Sequence, residues 1–325
     1  MLFTVFTPVY NRRDTLHRVF DSLCAQTLRD FEWVVVDDGS TDGVGALLEE
    51  YRAGAGFPVR VATQPNGGKH VAWNRGLELA RGELFVPADS DDAFVPWTLE
   101  RFRELWHSIP AEERPRFSGI NVLCQDPRTG ETVGVPFPRS PMVTDNLELV
   151  YVHRVTGEKW GCARTSVLRE TRFPADESLR GSVMPESYVW FSLARRYRVL
   201  CANERLRLYY RDAANSVIAT RSAGGLGARL GRHLPARYFY KSWHLATNLD
   251  YLRRSRKELV KTLLDVWVSG LFLKGSVGGV LEDQRRASRP LLLASLPAGL
   301  ALYGYSRLAR ARGERHDRGS PHAFV

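Results

Sequence analysis

The sequence predicts an α/β protein, a doubly wound and mostly parallel sheet followed by a C-terminal helical region. Short β-branched and aromatic runs alternate with segments of helical period over about the first 90 residues. Each run ends in a cluster of turn residues and carboxylates. Charge then separates the two parts. Residues 1–225 hold 28 Lys+Arg against 29 Asp+Glu, and residues 226–325 hold 18 against 7, a balance of −1 followed by +11.

The elements follow in order. Residues 2–7 form a strand closed by Pro8, and Leu16, Val19, Phe20 and Leu23 recur at helical spacing after a cap at Asn11 or Asp14. Residues 31–36 are nearly continuous in apolar side chains, as buried parallel strands are, and end in Asp37-Asp38-Gly39-Ser40. A helix around Leu47, Leu48 and Tyr51 leads to a third strand at 59–62. Asn66-Gly67-Gly68-Lys69 then turns into a helix carrying Val71, Trp73 and Leu77, and residues 84–86 make the fourth strand. Such a β-α-β-α-β-α-β order calls for right-handed crossovers and puts all four strand ends on one sheet edge, where ligands bind in open α/β sheets.

The fourth strand ends in Ala88-Asp89-Ser90-Asp91-Asp92. Asp89 and Asp91 can bring oxygen ligands to one hard cation, Mg²⁺ or Mn²⁺, with Ser90 keeping the turn small. The competing reading is an acidic turn with Asp92 capping a helix at Ala93. No phosphate-loop motif and no glycine-rich dinucleotide motif follows any strand. At 44% hydrophobic and 25% charged residues the chain has an ordinary globular composition. Its four cysteines are scattered without a C-x-x-C pair, which suits a reducing compartment, and the N-terminus shows no basic n-region or long apolar run. A cytoplasmic protein is expected.

Thr7-Pro8-Val9-Tyr10-Asn11, residues 34–42, Asn66 to Lys69, Ala72-Trp73-Asn74-Arg75-Gly76 and Ala88 to Asp92 together resemble the family 2 glycosyltransferases. The likeness is specific over about the first 95 residues and looser to about 212. It implies the nucleotide-sugar-binding fold called GT-A and inverting transfer of a sugar to a glycan, lipid-linked or small-molecule acceptor. By that resemblance Asp91 ligates the metal, while Asp89 contacts the ribose or helps hold the same ion. Asp38 accepts from the base N–H, which favours a UDP- or dTDP-sugar, and Thr7, Pro8 and Tyr10 wall the nucleotide. Asn11, Asn66, Lys69, Asn74, Arg75 and Ser90 complete the donor site, Lys69 and Arg75 beside the diphosphate. Arg75 reads equally well as a surface ion pair, and Asn74 as a structural amide. The family usually supplies its general base as Glu-Asp; here Glu186-Ser187 stands in that place, leaving Glu186 as the best candidate base, with compensation of a helix N-terminus as its other reading and Asp176 and Glu177 as the next candidates. Trp160 and Asp92 are expected on the acceptor side, with Trp160 reading equally well as a core side chain.

The resulting domain reading is a catalytic domain over 1–225, divided at residue 95, then a basic helical region over 226–312 and a disordered tail over 313–325. Residues 211–236, with Gly224-Gly225-Leu226-Gly227, are expected to be a mobile loop over the donor. The apolar runs at 263–273 and 291–302 are too short to span a bilayer, but basic residues flank them. Peripheral contact with the anionic inner face of a membrane is one expectation, and packing on the catalytic domain is the other. Two rival functions were open on the sequence: a nucleotidyltransferase acting on sugar phosphates, and a basic nucleic-acid- or membrane-binding protein with an inactive transferase-like domain. Nucleic acid is disfavoured for want of any reading motif.

Overall fold

The structure is a computed structural model, and it describes residues 1–212 and 233–318, with the side chains of the last helix as far as Leu308. Four strands, β1 (Phe3–Val9), β2 (Phe31–Asp37), β3 (Val59–Thr63) and β4 (Leu84–Pro87), pair in parallel in the order β3-β2-β1-β4. Helices α1 (His17–Cys24), α2 (Val44–Gly54) and α3 (Lys69–Leu79) connect them. The register aligns the strand ends: Val9 lies opposite Asp37, and Phe6 opposite Pro87. Pairing continues one step further, with Asp38 N donating to Val9 O at 2.8 Å and Ala88 N to Phe6 O at 2.7 Å. The segments after these strands therefore leave the sheet along one edge.

Beyond β4 the sheet is mixed. Strands β5 (Ala93–Phe94), β6 (Phe117–Gln125), β7 (Met142–Thr144), β8 (Lys159–Arg164) and β9 (Arg198–Leu208) extend it as β4-β8-β6-β9-β5, with β7 also on β9. Strand β8 is antiparallel to both neighbours, and β9 is parallel to β6. Asp92 caps no helix, contrary to the competing reading of the acidic turn, since a strand follows it. One long strand, β9, runs through the second half of the sheet. Strand β9 absorbs its irregularity in register shifts against β6 instead of a turn. Helix α1 begins after Leu16 without a side-chain cap, so neither Asn11 nor Asp14 fills that role. Asn11 sits at φ 51° and accepts Thr41 N at 2.8 Å. Four further helices flank the sheet: α4 (Thr98–Ser108), α5 (Asn146–Tyr151), α6 (Thr165–Glu170) and α7 (Ser187–Ala194). Trp33, Phe3, Phe31, Phe102 and Trp106 are fully buried in the main core. Each such side chain contributes roughly 1.5–3 kcal/mol by leaving water.

The chain divides into two compact units, Met1–Ala175 with Glu186–Ala213, and Asp176–Pro185 with Ala214–Val325. Residues 176–185 go with the C-terminal part. Within that second unit run α8 (Leu234–Thr247), α9 (Leu249–Leu252), α10 (Arg256–Lys274), α11 (Val277–Glu282) and α12 (Arg289–Arg318). Ser255 caps α10, and Gly275 ends it at φ 71°. Trp267 of α10 donates to Leu292 O at 3.0 Å, tying α10 to α12. The tail expected to be disordered from 313 is helical to Arg318, with Gly313 inside the helix. The remainder of that tail, and most of the loop expected over the donor, lie outside the described residues.

Candidate active site

The turn after β4 is gripped through its backbone from the start of the chain. Thr15 Oγ1 donates to Ser90 O at 3.0 Å, and Arg18 Nη1 to Asp91 O at 3.1 Å. Arg18 also makes a two-armed pair with Asp212, at 2.8 and 3.0 Å, and stacks over Tyr210. The three carboxylates of the turn then take different partners. Asp92 turns inward, 1% exposed, and accepts Arg207 Nε at 2.8 Å and Tyr210 N at 2.9 Å. Asp89 accepts Arg207 Nη2 at 2.6 Å on one oxygen and Lys69 Nζ at 2.5 Å on the other. Asp91 has Arg12 Nη2 at 3.9 Å. The Lys69 ammonium reaches on to Glu186 Oε1 at 2.5 Å, and Arg207 Nη1 lies 3.5 Å from Glu158 Oε1.

Three cations (Arg12, Lys69, Arg207) thus face five carboxylates (Asp89, Asp91, Asp92, Glu158, Glu186), a formal surplus of two negative charges. Desolvation raises the Asp91 pKa, and the Asp89 charge adds to it. Burial likewise raises Glu158 against the pull of Arg207. Desolvation also opposes the charge on Asp89, but Lys69 and Arg207 outweigh it and hold that carboxyl below its ordinary range. Burial opposes charge on Arg207 too, and Asp92 and Asp89 overcome it. Lys69 behaves in the same way, its pKa raised by Asp89 and Glu186 over desolvation. Its side chain is 41% exposed, so water screens these pairs.

Several expected donor-site residues lie elsewhere than the resemblance implies. Thr7 is fully buried within β1 and accepts Trp33 Nε1 at 2.9 Å, so it is a core hydroxyl and no wall. Pro8 is partly exposed and Tyr10 is exposed at the strand end. Asp38 already accepts from Gly67 N (2.9 Å), Gly68 N (2.7 Å) and Gln64 Nε2 (2.8 Å), which uses three of about four acceptor positions of a carboxylate. That bonding shapes the loop that delivers Lys69. Asn66 packs its backbone close to Gly39, where a Cβ would lie 2.9 Å from Asn66 N. Asn74 clasps Phe173 in both directions, at 2.9 and 3.1 Å, and is structural. Arg75 pairs with Glu78 on the surface of α3 at 3.1 Å, well over a turn from Lys69. Ser90 is buried in the turn. Trp160 is 4% exposed, stacks on Phe94 at 4.8 Å and donates to Pro87 O, so it belongs to the core beneath the turn. Asp92, buried against Arg207, is equally unable to meet an acceptor.

Arg207 and Glu158 were not singled out by the sequence reading. The signal for Arg207 was present: a strand of leucines, Leu206-Arg207-Leu208, carries a cation on the face that turns inward. A buried Arg demands carboxylates, and three acids stand at the end of β4.

The profile of Glycosyl transferase family 2 matches residues 4–112. Over that stretch the chain is similar to the family 2 glycosyltransferases. An uncharacterised glycosyltransferase of Nostoc, alr2836, is 26% identical over 69% of each chain. The Bacillus subtilis glycosyltransferase EpsJ is 36% identical over 32% of this chain, a stretch that spans only 30% of EpsJ. Among solved structures, TarS 1–349 of Staphylococcus aureus in complex with UDP-GlcNAc superposes with TM-score 0.56 at 20% identity, over 100% of this chain and 94% of that one. The mannosyltransferase PcManGT of Pyrobaculum calidifontis, in complex with GDP-Man and Mn²⁺, does so with TM-score 0.53 at 19% identity, over 95% and 83%. These neighbours establish the GT-A fold. The family 2 match takes in Lys69 and the Asp89–Asp92 turn, whereas Glu158, Glu186 and Arg207 lie beyond it.

A divalent cation was expected on Asp91 and Asp89, and the two acids fit it unequally. Both oxygens of Asp89 already face cations, which leaves Asp91 as the better ligand. Among the described residues no group of three or more His, Cys, Asp or Glu is arranged to hold a metal unaided. Mg²⁺ and Mn²⁺ need no such cage when substrate phosphates supply the remaining oxygens.

Proposed function

We propose that this protein transfers a sugar from a nucleoside diphosphate-sugar to an acceptor hydroxyl with inversion at the anomeric carbon. The observation that carries the reading is the Lys69 ammonium, which joins Asp89 at the β4 turn to Glu186 at the start of α7, each at 2.5 Å. Glu186 makes no side-chain cap to α7 and pairs with Lys69 instead, which supports its assignment as the base. In a direct displacement the acceptor oxygen bonds to the anomeric carbon as the bond to the diphosphate breaks. Glu186 receives the hydroxyl proton on the face of the sugar opposite the departing diphosphate. Arg207 fixes Asp89 and Asp92, and through them the turn that bears Asp91. A cation held by Asp91 would stabilise the charge gathering on the leaving diphosphate. Lys69 is the protein group placed to exchange its carboxylate partners for phosphate oxygens, which would release Glu186 to act as base. A UDP- or dTDP-sugar is the favoured donor. The acceptor is a glycan, glycolipid or small-molecule hydroxyl.

Calorimetric titration of UDP, dTDP and GDP, each with Mn²⁺ and with EDTA, tests this on wild type and Asp91→Ala. Metal-dependent binding of one nucleotide that is lost in the variant supports the site and identifies the base. Absence of binding under all conditions refutes it.

A further inference from the structure

The C-terminal unit has a face that sugar transfer leaves unused. Residues 290–306 of α12, between Arg289 and Arg307, are 17 in a row without a charge. One side of this stretch packs inward through Leu292, Gly299 and Ser306, and a Cβ on Gly299 would lie 2.6 Å from Trp267. The other side is open. Leu293 is 51% exposed, Leu300 43%, Leu302 38%, and Tyr305 and Leu308 64% each. At 3.6 residues per turn these five fall in one arc of about 200°. Beside it, Val260 and Leu264 of α10 form with Leu302 a shallow groove of about 510 Å³, rimmed by Arg256, Lys257 and Lys261. Asp265, at the groove's edge, is already paired with Arg237 and Lys241. Half of the exposed large apolar side chains of the described residues lie between 260 and 308, so this is a patch and not scatter.

The charge on the rim selects the occupant. A second copy would bring the same basic rim against this one, and a polyanion in water would meet the cations but leave the leucines wet. An anionic bilayer surface satisfies both, with headgroups at the rim and acyl carbons against the helix. We propose that this face binds the interface of an anionic phospholipid bilayer, with α12 lying flat in the headgroup region. Spanning is not involved: no described helix is long and apolar enough to cross a membrane, and 17 residues reach only about 25 Å. The proposal does not depend on the transferase reading.

Flotation of the full chain tests it, with vesicles of phosphatidylcholine alone and of phosphatidylcholine mixed with phosphatidylglycerol. Wild type should float with the mixed vesicles only. Leu300→Glu with Leu308→Glu, both at exposed positions, should weaken binding about tenfold or more, and Lys257→Glu with Lys261→Glu should do the same. Circular dichroism shows whether each variant is folded, and excess glycerol phosphate should not release the bound protein. Failure of wild type to float on mixed vesicles overturns the proposal, as does unchanged flotation of folded variants. Equal flotation on neutral vesicles, or release by glycerol phosphate, overturns the choice of an anionic surface. A concentration-dependent oligomer that the leucine variant abolishes, without flotation, assigns the face to a second copy instead.

Discussion

The cost of Arg207 sets the behaviour of the site at the scale of residues. A guanidinium with almost no exposure is tolerable only because Asp89, Asp92 and Glu158 surround it. Breaking such a pair from one side leaves an uncompensated buried charge. Arg207→Met should therefore lower stability by about 3–5 kcal/mol in urea unfolding. Adding Asp92→Asn to it should recover part of that loss, because the stranded carboxylate is then neutral; two additive losses would refute the coupling. Asp91 behaves in the opposite sense. Its folded pKa is raised by desolvation and by Asp89, against the pull of Arg12, Lys69 and Arg207, so its ionisation weakens the fold. The associated stability is full below the unfolded value of 3.8 and is lost as pH rises through the folded pKa. Asp91→Asn should thus melt higher than wild type at pH 8 in EDTA, and the gap should close as the pH is lowered towards 4. A variant that melts lower at pH 8 contradicts this. Glu186→Gln should reduce turnover about 10²–10⁴-fold while nucleotide affinity holds, as removal of a general base does. If nucleotide affinity falls in parallel, the carboxylate's role is in donor binding.

Elements place these residues, and the loop before α3 shows how. Asp38, one residue past β2, collects the Gly67 and Gly68 N–H groups and so fixes where α3 begins and where Lys69 emerges. Gly68 holds φ 90° and ψ 160°, a conformation that a side chain resists. Gly68→Ala should therefore cost about 1–3 kcal/mol in stability and weaken nucleotide binding by displacing Lys69, both read in one melting and titration series. An undisturbed titration would show that Lys69 has no part in donor binding. The same segment marks a limit of sequence reading. Gly-Gly before a helix announces a turn, but the acceptor for its two N–H groups lies 29 and 30 residues earlier and is supplied only by the register of β2.

The whole molecule carries two cores with separate duties, and its charge is distributed accordingly. All site residues lie in Met1–Ala175 and Glu186–Ala213, while the basic excess sits after residue 225. Gly299→Val overfills the contact with Trp267 and should destabilise the C-terminal helices by about 1–3 kcal/mol. Nucleotide titration should be unaffected by this change while vesicle flotation weakens. Loss of nucleotide binding would mean that the second core supports the first.

The sequence by itself determined the order of β1 to β4, the convergence of their ends and the acidic turn after β4. Those are local matters, written in runs of period 2 and 3.6 and in turn residues, and the four ends meet because parallel strands share a direction. It also exposed the charge asymmetry, which needs no fold to be counted. What only the tertiary structure decided is which polar residues face the crevice. Trp160 and Thr7 read as ligand-facing but are core, because their strands are covered on both faces and bury successive residues whichever way they point. Arg207 anchors the site from more than 100 residues away. A buried charge is recognisable only with its partners, and the pairing of β9 with β5 and β6 is what brings them together.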